Sequence, residues 1–98
     1  MLIKNYSKSG KICRVTFKYN NSEVSKDAAL VGDFNNWSLQ EDPMKKLKDG
    51  SFSVTLSLQA GNSYQFRYVL DGDTWLNDEE ADSYVPNKYG EENSVVTV

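Results

Sequence analysis

"GSFSVTLSLQAGNSYQFRYVLDGDTW", residues 50–75, holds two stretches of strict alternation on either side of a turn. In the first, Phe52, Val54, Leu56 and Leu58 alternate with Ser51, Ser53, Thr55 and Ser57, the pattern of a strand with one dry and one wet face. In the second, Tyr64, Phe66, Tyr68 and Leu70 alternate with Gln65, Arg67 and Val69. The separators "QAGNS" (59–63) and "LDGD" (70–73) supply Gly, Asn and Asp, which tolerate the backbone of tight turns.

The same period extends outward. In "KICRVTFKY" (11–19), Cys13, Val15, Phe17 and Tyr19 alternate with Ile12, Arg14, Thr16 and Lys18. Ala28-Ala29-Leu30-Val31 reads as a buried strand, and "NSVVTV" (93–98) as a closing one. Turn signals fall at "YNNS" (19–22), "DFNN" (33–36), "KDGS" (48–51, a hairpin turn) and "NKYG" (87–90). Nothing sustains helical periodicity, although "DEEADSY" (78–84) can form a single turn. The expectation is an all-β chain, an immunoglobulin-like β-sandwich of about seven short strands. It is read as one domain over residues 11–98 behind a lead-in at 1–10. The Cys…Trp…Cys mark of antibody domains is missing, since Cys13 is the sole cysteine.

Composition narrows the function classes. The 98 residues are 39% hydrophobic and 26% charged, enough for a modest core. A net charge of −3 argues against nucleic acid as a partner. The densest basic stretch, Met44-Lys45-Lys46-Leu47-Lys48, is followed by Asp49 and reads as a solvated strand edge. Cys13, in phase with Val15 and Phe17, reads as a small buried hydrophobe. No apolar run approaches a membrane span or a signal peptide, so the expectation is a cytoplasmic protein. A chain opening on Met and closing on its last expected strand fits a free-standing protein.

Catalytic and metal chemistry find little footing. Without histidine, Ser-His-Asp and Cys-His catalysis are excluded, and with one cysteine a zinc site is implausible. No glycine-rich phosphate cradle is present. An EF-hand loop opening at Asp71 would need an oxygen ligand and then glycine where Trp75 and Leu76 stand. Asp78, Glu79, Glu80 and Asp82 could in principle supply a glycosidase pair, but a solvated acidic loop is the simpler reading. No enzyme, metal or cofactor is expected.

What remains is aromatic and polar. Trp37 follows a polar turn, Trp75 follows "LDGDT", and Tyr89 lies in the turn-rich "NKYGEEN". If Phe66 and Tyr68 face the core, Arg67 faces out beside Gln65 and Val69. A flat ring beside polar donors suits a sugar, because the C–H face of a pyranose stacks on indole while its hydroxyls need partners. On residues alone, each tryptophan fits the core as well as a platform.

"LVGDFNNWS" (30–38) together with residues 49–98 resembles the glycogen-binding, isoamylase N-terminal type of early-set domain, carbohydrate-binding module family 48. The likeness is ordered: G-x-F-N-x-W, a Y-x-F-[RK]-[YF] strand, a D-G-x-W turn and a closing strand that opens N-x-V, over approximately residues 11–98. Such domains precede catalytic barrels in branching and debranching enzymes and occur in the β subunits of AMP-activated protein kinase. The resemblance implies that Trp37 and Trp75 stack on glucose, that Arg67 hydrogen-bonds the sugar, that Tyr89 reaches over the glucan, and that Asn93 completes the set. It therefore favours platform over core for both tryptophans, with Phe34 as the core anchor of the turn.

Three positions depart from the pattern. Thr74 lengthens the turn before Trp75, Arg67 replaces the lysine common in the kinase type, and Glu91 stands where that type has a small hydroxyl residue. The implied function is non-catalytic binding of α-1,4-glucan, namely glycogen, starch or maltodextrin. The expected partners are the glucan and a glucan-metabolising enzyme or other protein, with no nucleic acid and no membrane. The alternative is a protein–protein interaction module that keeps the fold and not the sugar, since exposed aromatics also anchor interfaces.

Overall fold

The computed structural model of the chain describes residues 1–20 and 25–98. Among them are nine strands: β1 (Leu2–Tyr6), β2 (Ile12–Tyr19), β3 (Ala28–Gly32), β4 (Lys45–Lys46), β5 (Phe52–Gln59), β6 (Ser63–Leu70), β7 (Thr74–Leu76), β8 (Ser83–Pro86) and β9 (Glu92–Thr97). One sheet runs β1-β2-β5-β4, the other β3-β6-β9-β8, and β7 also pairs with β6. Every pairing is antiparallel. The two sheets make the expected all-β, immunoglobulin-like sandwich.

The sequence names five of these strands, β2, β3, β5, β6 and β9, while β1, β4, β7 and β8 are not singled out by it. β4 has two residues and β7 three. β1 lies within the lead-in, and its side chains are half-buried or exposed. The "KDGS" hairpin is present: Lys46 pairs with Phe52, and Leu47 N–H donates to Ser51 O at 2.7 Å. The two lysines of β4 are exposed on the edge of their sheet. In the expected "YNNS" turn, Asn21 and Ser22 lie outside the described residues.

The core follows the alternation. Cys13, Val15, Phe17, Phe52 and Leu58 from one sheet meet Leu30, Phe66, Tyr68, Leu70 and Val96 from the other, all buried. Phe66 packs edge-on against Phe17 at 5.0 Å and against Tyr68 at 5.7 Å between ring centroids. Phe34 reaches this cluster from the turn after β3, with its ring 5.7 Å from that of Phe17.

Two expectations need correction. Arg67 and Val69 do point away from Phe66 and Tyr68, yet they are 7% and 1% exposed. Val31, which pairs with Arg67 across β3 and β6, is fully buried too, so chain covers the outer face of this sheet. Asp78 is not solvated either, being 2% exposed. Its carboxylate accepts the Tyr68 O–H and the Glu80 N–H, each at 2.7 Å, and its own N–H donates to Ser94 Oγ. Burial, reinforced by the Asp78 charge, pushes the Tyr68 hydroxyl pKa far up, so it stays a donor. Asp78 thus pins the 77–82 loop to the core, while Glu79 and Glu80 remain exposed. No helix among the described residues is long and apolar enough to cross a membrane.

Candidate functional site

Trp37 is placed by a turn that the backbone could not make unaided. Gly32 ends β3 where a Cβ would come within 2.5 Å of Gln65 O and 2.8 Å of Phe34 Cζ, so only glycine fits. Asp33–Asn35 form a 3₁₀ turn. The buried Asn35 locks it by accepting Gly32 N–H at 3.1 Å and donating to Leu30 O at 2.9 Å and Asp42 Oδ2 at 2.8 Å. Asn36 and Trp37 then take left-handed backbone, with φ of 55° and 58°. Asparagine tolerates that region, but for tryptophan it is strained. Asp33 holds the strained residue in place: Oδ1 accepts the indole N–H at 3.2 Å while Oδ2 accepts Gln65 N–H of β6 at 2.8 Å. The ring is half-buried.

Arg67 sits where β6 changes partners. Toward one end, β6 pairs with β9 as far as Phe66↔Ser94; toward the other it pairs with β7 from Tyr68↔Leu76 onward. Both partners occupy the edge of β6 opposite β3, so the chain parts beside Arg67 and opens a groove. Trp75 pairs with Val69 and shares its outer face, which is also the face of Arg67. The guanidinium lies 6.0 Å from the Trp75 ring centroid and its Nη2 donates to Trp75 O at 3.2 Å. Trp75 itself is 40% exposed.

The β8–β9 hairpin closes the groove. Asn87 organises its loop by accepting Tyr89 N–H at 2.9 Å and Glu91 N–H at 3.1 Å through one side-chain oxygen. Gly90 takes the positive φ of 78° that the return requires. Tyr89 is thereby held out at the tip, 76% exposed, with Lys88 Nζ 5.3 Å from its ring centroid. Asn93, 9% exposed, ties the hairpin to β6 by donating to Gln65 Oε1 at 3.1 Å and accepting from Asn87 Nδ2 at 3.2 Å.

All five candidate residues, Trp37, Arg67, Trp75, Tyr89 and Asn93, line one groove of about 740 Å³. That volume lies in the range of ligand-binding clefts. Asp33, Gln65, Asn87, Lys88 and Glu91 complete the lining. Gln65 was legible, since it shares the phase of Arg67 two residues away. Asn87 and Lys88 had no signal beyond lying in a turn, because only the hairpin return brings them beside β6. Glu91, one departure from the family pattern, puts its Oε1 3.5 Å from Arg67 Nη1. The arrangement offers aromatic faces at the rim and amide and guanidinium groups on the floor. Among the described residues no group of three or more Asp, Glu or Cys side chains could hold a metal ion.

The family model of the glycogen recognition site of AMP-activated protein kinase matches residues 13–98. That span takes in every residue of the groove. Among curated proteins, none matches the chain.

Proposed function

The chain belongs to the glycogen recognition family, a group of non-catalytic carbohydrate-binding modules of family 48, and on that premise we propose that its groove binds linear α-1,4-glucan: glycogen, starch or maltodextrin. The observation that carries the reading is the convergence of Trp37, Arg67, Trp75, Tyr89 and Asn93 on one groove from four separate parts of the chain. Successive glucose units stack their C–H faces on Trp37 and Trp75, and Tyr89 covers the chain from the loop tip. Arg67 donates to hydroxyls, while Asn93 and Gln65 offer both donor and acceptor. No step of bond cleavage is assigned to any residue.

Taking base stacking on aromatic rings as the measure, each indole contributes about 1–3 kcal/mol. After the cost of ordering a flexible oligosaccharide, dissociation constants from about millimolar to micromolar follow. A polymer compensates by offering many sites. The binding unit is residues 11–98, and the lone buried thiol of Cys13 suits a reducing cytoplasm. A glucan-metabolising enzyme is the protein partner such a module would serve.

The test is an NMR titration of the labelled protein with maltoheptaose, following the two indole N–H signals. Saturable shifts at Trp37 and Trp75 that disappear in Trp37→Ala are expected. Indoles unmoved at tens of millimolar sugar would reject the assignment and turn attention to a protein occupant for the same aromatics.

A further inference from the structure

Arg67 is left with unused donor capacity in the groove. Its side chain is 8% exposed, and Nε is buried with no hydrogen-bond partner among the described residues. A guanidinium so under-satisfied is a strong receptor for phosphate or carboxylate, which fit its planar fork better than a hydroxyl does. The chain supplies one such anion itself. The Glu91 backbone is fixed on both sides, its N–H donating to Asn87 Oδ1 at 3.1 Å and its C=O accepting Asn87 N–H at 2.8 Å. From there its carboxylate reaches Arg67 Nη1 at 3.5 Å while remaining 62% exposed at the groove mouth.

The charge balance follows. Arg67 and Lys88 line the groove against Asp33 and Glu91, so its formal charge is zero. Asp33 is committed to the Trp37 indole and the Gln65 amide, and Lys88 lies against Tyr89. Glu91 is therefore the charge that decides what Arg67 can receive.

Resting on the glucan reading for its substrate, we infer that Glu91 is a specificity-determining residue, an internal anion that reserves the groove for uncharged glucan and rejects phosphorylated glucan. A neutral hydroxyl shares the guanidinium with Glu91 at modest cost, because a contact of 3.5 Å from a carboxylate that is itself 62% exposed is a weak ion pair. A phosphate ester must approach Arg67 past a carboxylate of like charge whose backbone is held at the groove mouth, within a Debye length of the incoming anion.

The experiment compares wild type, Glu91→Gln and Glu91→Asp in titrations with maltoheptaose, with maltoheptaose carrying one 6-phosphate, and with inorganic phosphate alone. Wild type and Glu91→Asp are expected to prefer the neutral sugar. Glu91→Gln should gain a few-fold for maltoheptaose and about tenfold for the phosphorylated one, shrinking the preference for the neutral sugar by about threefold. Inorganic phosphate should shift the Arg67 Nε–H signal in Glu91→Gln and not in wild type, a readout that needs no glucan. Equal phosphate shifts in wild type and Glu91→Gln, or a sugar preference unchanged by Glu91→Gln, would overturn the inference. Failure of every variant to bind maltoheptaose, with the phosphate contrast intact, would sink the glucan reading and leave the guarding role of Glu91 standing.

Discussion

Replacing Asp33 by alanine separates holding a ring in place from holding a fold together. Asp33 makes two bonds through two oxygens, to the Trp37 indole at 3.2 Å and to Gln65 N–H at 2.8 Å. Both are exposed, so they stabilise the fold by about 1 kcal/mol together, the low end of the range for such bonds. Their loss frees Trp37 to leave its φ of 58°, and the relief of that strain, itself about 1–3 kcal/mol, offsets some or all of the cost. The melting temperature of Asp33→Ala should therefore fall by no more than about 4–8 °C. Binding should suffer far more. A ring released from its groove position forfeits its stacking, about 1–3 kcal/mol, or roughly 5- to 150-fold in affinity for maltoheptaose. Asp33→Asn keeps one acceptor oxygen and faces the second donor with an NH₂, so it should fall between wild type and alanine in both measurements. Thermal unfolding by circular dichroism and the indole titration read the two effects separately. Wild-type affinity in Asp33→Ala, with the Trp37 indole signal unmoved, would refute the argument that this carboxylate positions the ring.

Trp75→Ala should lower maltoheptaose affinity by a similar roughly 5- to 150-fold while barely changing the melting temperature, since the ring is 40% exposed; calorimetric titration and melting check both halves. Gly32→Ala should do the reverse in kind, destabilising by about 1–3 kcal/mol because its Cβ meets Gln65 backbone oxygen at 2.5 Å, seen as a lower midpoint in urea unfolding. Asp71 accepts N–H donors from Asp27 and Lys26 that hold its carboxyl below the usual value of 3.8. With the folded pKa below the unfolded one, its contribution is full above about pH 4 and is lost as pH falls through the folded value. Asp71→Asn tolerates the same φ of 50° and should flatten that part of the acid limb; an unchanged difference in melting temperature between pH 5 and pH 2 would refute it.

The strands were legible because period-two alternation is a local property, settled by which face of a residue meets water. Phe52 to Leu58 and Cys13 to Tyr19 announce one dry face each, and the structure sets those faces side by side in one sheet and packs them on the other. Trp37, Arg67, Trp75, Tyr89 and Asn93 were legible as a set only through ordered motifs, since nothing in their spacing says that they meet. Alternation also misled where a second layer of chain covers a face. Val69 and Arg67 read as outward and are buried, and Asp78 reads as a solvated acid and is pinned beneath Tyr68.

By itself the sequence determined the sandwich, the turns and the residue types available for a site, because propensity and patterning act over a few neighbours. Tertiary structure alone decided that β6 exchanges β9 for β7 beside Arg67, and that the opening there gathers side chains from residues 33 to 93. It alone set Glu91 against a guanidinium that lies 24 residues earlier in the chain. Strand pairing and charge pairing act through space, so groups that the chain keeps far apart share one groove only after folding.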